Sequence, residues 1–252
     1  MRSCIICTSP RSGSTLLCRL LQATGRAGLP DSHFHEPSLA AWAEDYGLAP
    51  ESFPDDRALT AAVLKAAIAR GSGDTGCFGL RLQQHSFGFF MERLGALFPQ
   101  AGSDAERLRA AFGETLFIHL TREDKLAQAV SRLKAEQTGL WHRRADGSEL
   151  ERLSAPRPPA YDAAAIAAHV ADMTAADAAW EAWFAAQGIT PLRLTYDALS
   201  RAPQAVLAQV LGALGLDPAL AEGVAAPTAR LSDALSAEWI ARFRAEGAGS
   251  PV

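Results

Sequence analysis

Residues 3 to 8, Ser3-Cys-Ile-Ile-Cys-Thr8, form a short run of small, β-branched and apolar residues, and from Ser14 onward Leu16, Leu17, Leu20 and Leu21 return at helical spacing. The pattern predicts a buried strand, a turn and an amphipathic helix that stops at Ala23-Thr24-Gly25, where a glycine suits a left-handed cap. The same alternation recurs. Cys77 to Leu82 and Thr115 to Thr121 read as strands, followed by helices over 87–97 and 123–136, and a fourth strand at 189–196 leads into a helix over 202–214 closed by Gly215. A helix carrying Leu59, Val63, Ala66 and Ile68 precedes the second strand and breaks at Gly71-Ser72-Gly73, and a short helix ends near Phe112. The alanine-rich stretch 162–187 sets Ile166, Val170, Met173, Trp180 and Phe184 on one side of a long helix, which reads as scaffold. Strand followed by helix, repeated, predicts an α/β protein with a central parallel sheet flanked by helices.

Three segments break the rhythm. Residues 28–37 are irregular and polar, 39–57 mix loop and helix around Trp42, Tyr46 and Phe53, and 139–160 are turn-rich and read as a mobile loop or lid. At 252 residues the chain suits one domain, 1–252. A net charge of −4 argues against broad nucleic-acid binding. No apolar run reaches the roughly 18 to 20 residues of a membrane span, and the first residues lack a signal peptide's pattern, so the expectation is a cytoplasmic protein. Four cysteines are too few for a disulfide scaffold; Cys4 and Cys7, three apart on a strand, face opposite sides and read as core.

The chemistry concentrates in the first turn, Ser9-Pro-Arg-Ser-Gly-Ser-Thr15. A Ser- and Gly-rich turn between strand and helix aims successive backbone N–H groups and the positive helix end into one concavity suited to phosphate or sulfate. Gly13 permits the turn, Arg11 adds a planar charged fork, and Ser12, Ser14 and Thr15 add hydroxyls. The nucleoside-triphosphate loop G-x-x-x-x-G-K-[ST] is not matched, because the spacing is shorter and no lysine precedes Lys65. Arg122 follows the third strand on the same rim, and Ser131 lies more than two turns further along the next helix.

Pro-Arg-Ser-Gly-Ser-Thr after a strand resembles the 5′-phosphosulfate loop of sulfotransferases that use 3′-phosphoadenosine-5′-phosphosulfate (PAPS), and Arg122 and Ser131 match the positions that grip its 3′-phosphate. Arg-Ser-Gly-Ser-Thr-Leu-Leu, Ala-Thr-Gly-x-Ala-Gly-x-Pro, Gln-Ala-Val-Ser, Trp141 and a C-terminal Ser-x-Glu-Trp-x-x-Arg-Phe together resemble the bacterial trehalose 2-sulfotransferase family over residues 4 to 244. The resemblance implies a P-loop-like sulfotransferase fold, PAPS as donor without a required metal, a carbohydrate or glycosylated small-metabolite acceptor, a homodimer, and a further 3′-phosphate contact from Arg230.

The match breaks at Ser32, where the family carries a glutamate proposed as base. Glu36, in a Glu-Pro pair and expected to be desolvated by Phe34, becomes the first candidate for the base, with His33 second. Asp31, Ser32, His35, Arg81 and Trp141 are candidates for the acceptor side, with Arg81 also placed to steady the bridging oxygen. His33 and His35 lack a third convergent ligand, so no metal site is expected. Two other functions fit parts of the pattern: a nucleotide-dependent phosphotransferase, weakened by the missing lysine, and a non-catalytic nucleotide-binding module that has lost its base at Ser32.

Overall fold

The structure, a computed structural model, describes residues 2–143, 146–225 and 233–248. Its centre is a parallel sheet of β1 (Arg2–Thr8), β2 (Cys77–Gln83), β3 (Glu114–Thr121) and β6 (Leu192–Thr195), in the order β2-β1-β3-β6. Every pairing is parallel, and Ile5 lies opposite Leu80 on one side and Phe117 on the other. β1 is the central strand because it is apolar on both faces. Cys4 and Ile6 enter one core, with α1 (Ser14–Ala23) and α9 (Pro203–Ala213) covering that face. Ile5 and Cys7 enter the opposite core, covered by α3 (Asp56–Ser72), α4 (Gln84–Leu97), α5 (Asp104–Phe112) and α7 (Ala163–Ala186). The two cysteines therefore do face opposite sides, and all four cysteines are buried and free. Each large apolar side chain so buried contributes about 1.5–3 kcal/mol.

α2 (Leu39–Asp45) buttresses the second core through Trp42, while α6 (Lys125–Thr138) and α10 (Ala234–Ala248) pack with α7 into a third, smaller cluster around Trp239. Three sequence expectations change. Residues 139–160, read from the sequence as a turn-rich loop or lid, contain an antiparallel hairpin of β4 (Leu140–Arg143) and β5 (Glu149–Arg152), whose two short strands pair through an irregular register. The fourth sheet strand is shorter than 189–196, because Tyr196 already opens a helix, α8 (Tyr196–Arg201), capped by the Thr195 side chain. α3 runs through Gly71 and ends at Ser72. Among the described residues no helix is long and apolar enough to cross a membrane.

Candidate active site

The carboxyl ends of β1, β2 and β3 deliver the loop 9–13, Arg81 and Arg122 to one rim. Most helices here begin with a side-chain cap: Ser38, Asp55, Ser103, Asp124, Asp162 and Thr195 serve α2, α3, α5, α6, α7 and α8. α1, like α4 and α9, has no capping side chain and no acidic residue in its first turn, and its N-cap is Gly13 in the left-handed region (φ 87°). The first N–H groups of α1 therefore stay available to an external anion. Arg11 also adopts a left-handed conformation (φ 63°), a costly one for a residue with a side chain, and its surroundings hold it there. Its Nε donates to Ser131 Oγ (3.1 Å) and its Nη1 to the Trp141 carbonyl. Burial, and then repulsion from Arg122, bring the Arg11 guanidinium down to about 10.

The loop is braced from below. Gln128 Nε2 donates to Ser9 Oγ (3.0 Å) and to the Pro10 carbonyl (2.6 Å), and Ser9 donates to Asp177 Oδ1 (3.0 Å). Lys125 pairs with Asp177 and donates to the Arg122 carbonyl (2.6 Å), and the Trp180 indole N–H donates to the Thr8 carbonyl (3.1 Å). These partners keep polar atoms satisfied beneath a turn that turns its own donors outward.

Two cavities meet at the loop. One, of about 900 Å³, lies toward Asp31, Ser32, His35, Glu36, Arg81 and the α7 surface. The other, of about 580 Å³, lies toward Arg122, Ser131, Lys134, Arg152 and Tyr196. Arg11, Gly13, Thr15 and His142 line both, and so stand where the two adjoin. There Arg81 donates through Nη1 to Thr15 Oγ1 and through Nε to Ser32 Oγ, each at 2.7 Å, with Asp31 Oδ1 3.7 Å from Nη2. Thr15 Oγ1 is also 3.0 Å from His142 Nε2. In the second cavity Arg122 lies over the Tyr196 ring, 4.4 Å from its centroid.

The structure thus brings together Arg11, Gly13, Ser14, Thr15, Asp31, Ser32, Arg81, Arg122, Ser131 and Trp141, with His35 and Glu36 further along the wall of the larger cavity. Ser12 is inside the loop, its hydroxyl bonded to that of Thr8, so it shapes the turn rather than facing a ligand. His33 does not reach the cavity. It is 4% exposed, stacks on Phe78, and hydrogen-bonds through Nδ1 to Tyr46 Oη (2.8 Å), and burial lowers its pKa. The desolvation expected for Glu36 is absent: Phe34 packs into the core against Phe90 and Trp42, and the Glu36 side chain is 60% exposed beside His35. Arg230 lies outside the described residues. No cluster of three or more metal-ligating side chains occurs among the described residues.

Six contributors escaped the sequence. His142 and Glu151 come from the hairpin, Tyr196 from the start of α8, and Ala175, Ala176 and Ala179 from α7, which is part of the cavity wall as well as scaffold. A His directly after Trp141 was the one available signal for the hairpin's role.

Comparison with known proteins gives the family. The profile of the Stf0 sulphotransferase family matches residues 3–246. A trehalose 2-sulfotransferase of Mycobacterium tuberculosis is 32% identical over 273 aligned positions, which cover 98% of this chain and 96% of that one. A second, from Mycolicibacterium smegmatis, is 32% identical over 260 positions, 95% of this chain and 93% of its own. The sulfotransferase domain of an olefin synthase from Synechococcus PCC 7002 superposes with a TM-score of 0.44 at 16% identity, over 100% of this chain and 96% of that domain, a likeness too loose to carry weight.

Proposed function

The chain belongs to the Stf0 sulphotransferase family and is a sulfotransferase, and from that premise we propose that it moves the sulfuryl group of PAPS onto a hydroxyl of a carbohydrate or small glycosylated metabolite. One observation carries the reading: two cavities that meet at an uncapped helix N-terminus flanked by Arg11. A donor with phosphate groups at both ends of a nucleoside suits this layout. The α1 amides, Arg11 and Thr15 would hold the 5′-phosphosulfate where the cavities adjoin, which would serve as the passage for the sulfuryl group, and Arg122 and Ser131 the 3′-phosphate in the smaller cavity. The acceptor would enter the larger cavity, beside Asp31, Ser32, His35 and Arg81.

The chain's own residues then act by positioning and electrostatics, as in phosphoryl transfer. Arg11 and Arg81 face the charge that develops on the sulfuryl and bridging oxygens, and the partly desolvated site strengthens each contact. Trp141 contributes its carbonyl to Arg11, with its ring 5.9 Å from that guanidinium. Arg230, a cytoplasmic location and a homodimer, all expected from the sequence, belong to the same proposal; light scattering on the purified protein tests the last.

The test is calorimetric titration with 3′,5′-ADP against ATP–Mg²⁺, followed by transfer of labelled sulfate from PAPS over a panel of sugars. Binding of 3′,5′-ADP together with labelled sugar sulfate is the expected result. ATP binding without 3′,5′-ADP binding would favour a phosphotransferase, and 3′,5′-ADP binding without any transfer a nucleotide-binding module.

A further inference from the structure

We infer that His142, from the hairpin, is the general base that takes the proton of the acceptor hydroxyl, an inference that rests on the sulfotransferase reading above. A sulfuryl group crossing from donor to acceptor must pass where the two cavities adjoin, and four residues line both cavities: Arg11, Gly13, Thr15 and His142. Arginine stays protonated, glycine offers no side chain, and a threonine hydroxyl is a poor base. His142 is the member of the four whose side chain carries a nitrogen lone pair able to take up a proton.

Its hydrogen bonding fits the role. Thr15 Oγ1 accepts from Arg81 Nη1 at 2.7 Å, so its single proton is directed at the one lone pair of His142 Nε2, 3.0 Å away; the acceptor hydroxyl takes that place at Nε2 when it binds, as the Thr15 hydroxyl turns toward the sulfuryl oxygens. Glu151 Oε2, 3.4 Å from the same nitrogen, lies where it can stabilise the imidazolium that forms. The His142 side chain is 23% exposed. Burial first, then the positive charges of Arg11 on the loop, Arg81 on β2 and Arg19 on α1, bring it down to about 3, so before substrate binds it stands unprotonated. An anionic donor arriving beside Arg11 and Arg81 offsets those cations, while the burial that is the largest cause remains.

The alternatives are less well placed. Ser32 receives a hydrogen bond from Arg81 Nε, and Glu36 is largely exposed, 3.6 Å from His35 Nε2. In the step proposed, a bond forms between the acceptor oxygen and sulfur while the bond from sulfur to the bridging phosphate oxygen breaks. The acceptor's proton passes to His142 Nε2, the bridging electron pair leaves with 3′,5′-ADP, and the proton is later released to water through the larger cavity.

His142→Gln preserves a hydrogen-bonding group beside Thr15 but cannot carry the proton. With PAPS and a sugar acceptor its kcat should fall about 10²- to 10⁴-fold, the usual worth of a positioned base. Its 3′,5′-ADP affinity should stay within about threefold, below the tenfold of one pKa unit. Added imidazole should restore part of the rate, and a nitrophenol acceptor, already half willing to lose its proton, should lose far less. A variant that keeps more than about a tenth of wild-type kcat, or a loss that is equal for sugar and nitrophenol and indifferent to imidazole, overturns the assignment. So does loss of all turnover in Glu36→Gln with turnover kept in His142→Gln. Should His142→Gln fail to fold, Glu151→Gln decides: about tenfold lower kcat, the equivalent of one pKa unit of imidazolium support, favours the base, and unchanged kcat overturns it. Wild-type protein that binds 3′,5′-ADP but sulfates nothing sinks the functional reading and this inference with it. An active wild type with an active His142→Gln sinks the inference alone.

Discussion

Gly13 is held in place both by conformation and by space. Its φ is 87°, and a Cβ there would sit 2.7 Å from Cδ2 of Tyr196, the ring that lies beneath Arg122. Gly13→Ala is therefore expected to cost about 1–3 kcal/mol through strain and overpacking, and to displace the Arg122 guanidinium. Urea unfolding should show a lower midpoint and calorimetry a weaker 3′,5′-ADP affinity; a wild-type midpoint would mean that Tyr196 yields freely. His142 makes a second prediction, in pH. Its folded pKa of about 3 lies below the ordinary value of 6.5, so between those values the unfolded chain binds a proton that the folded chain refuses. Its contribution is neutral above pH 6.5 and increasingly destabilising as pH falls toward 3. Melting temperatures of His142→Gln should fall less steeply than wild type over that window, and parallel slopes would contradict the shift. At this scale the rim positions of Arg11 and Arg122 were legible because each closely follows a strand end, whereas Ser131, inside a helix, was singled out by the family resemblance alone. His33 and Glu36 were not, because a polar loop sequence such as Ser32-His-Phe-His-Glu36 carries no period to say which side chain turns inward; Phe34 and His33 both enter the core.

Elements show the same division. The βα units were readable because apolar runs that serve two-faced strands alternate with helical periods, and the expected strand ends fall within a few residues of Thr8, Gln83 and Thr121. The hairpin was not. Its strands have four residues each, pair with an irregular register, and are tied to the anion site by hydrogen bonds from Arg11 to the Trp141 carbonyl and between Thr15 and His142. Its attachment begins at Gly139, the left-handed C-cap of α6 (φ 71°), where an added Cβ would meet the Ser154 carbonyl oxygen at 2.5 Å. Gly139→Ala is thus expected to shift the hairpin against the loop, separating His142 from Thr15. Turnover should fall at least about tenfold, more than 1.4 kcal/mol of transition-state stabilisation, with far-UV circular dichroism nearly unchanged because the central sheet is untouched. Wild-type turnover in this variant would show that the hairpin's placement is not needed for the reaction.

Across the whole molecule, the loop's position depends on an element that looks like scaffold. The apolar side of α7 joins the core through Met173, Trp180 and Phe184, as its period predicts, and Ala175, Ala176 and Ala179 leave room for the larger cavity. Between these stripes stands Asp177, which composition alone could not single out among the acidic residues of the chain. It accepts from Ser9 Oγ at 3.0 Å and pairs with Lys125, whose ammonium also reaches the carbonyl of Arg122 at 2.6 Å. One carboxylate thereby ties α7 to both ends of the anion grip, the β1 loop and the β3 terminus. Asp177→Ala leaves the Lys125 ammonium, 20% exposed, without its counter-charge and Ser9 without its acceptor. Breaking a fully buried pair costs about 3–5 kcal/mol, and partial solvation reduces this to about 1–3 kcal/mol here. The larger effect should be functional: with Arg11 and Arg122 no longer held relative to one another, 3′,5′-ADP should bind at least about tenfold more weakly, a loss of 1.4 kcal/mol. Asp177→Asn keeps an acceptor for Ser9 but lacks the charge for Lys125, so its affinity should lie between alanine and wild type. The ordering wild type, asparagine, alanine in 3′,5′-ADP affinity is the signature of a brace, whereas equal affinities across the three would mean that the grip stands on the strand ends alone.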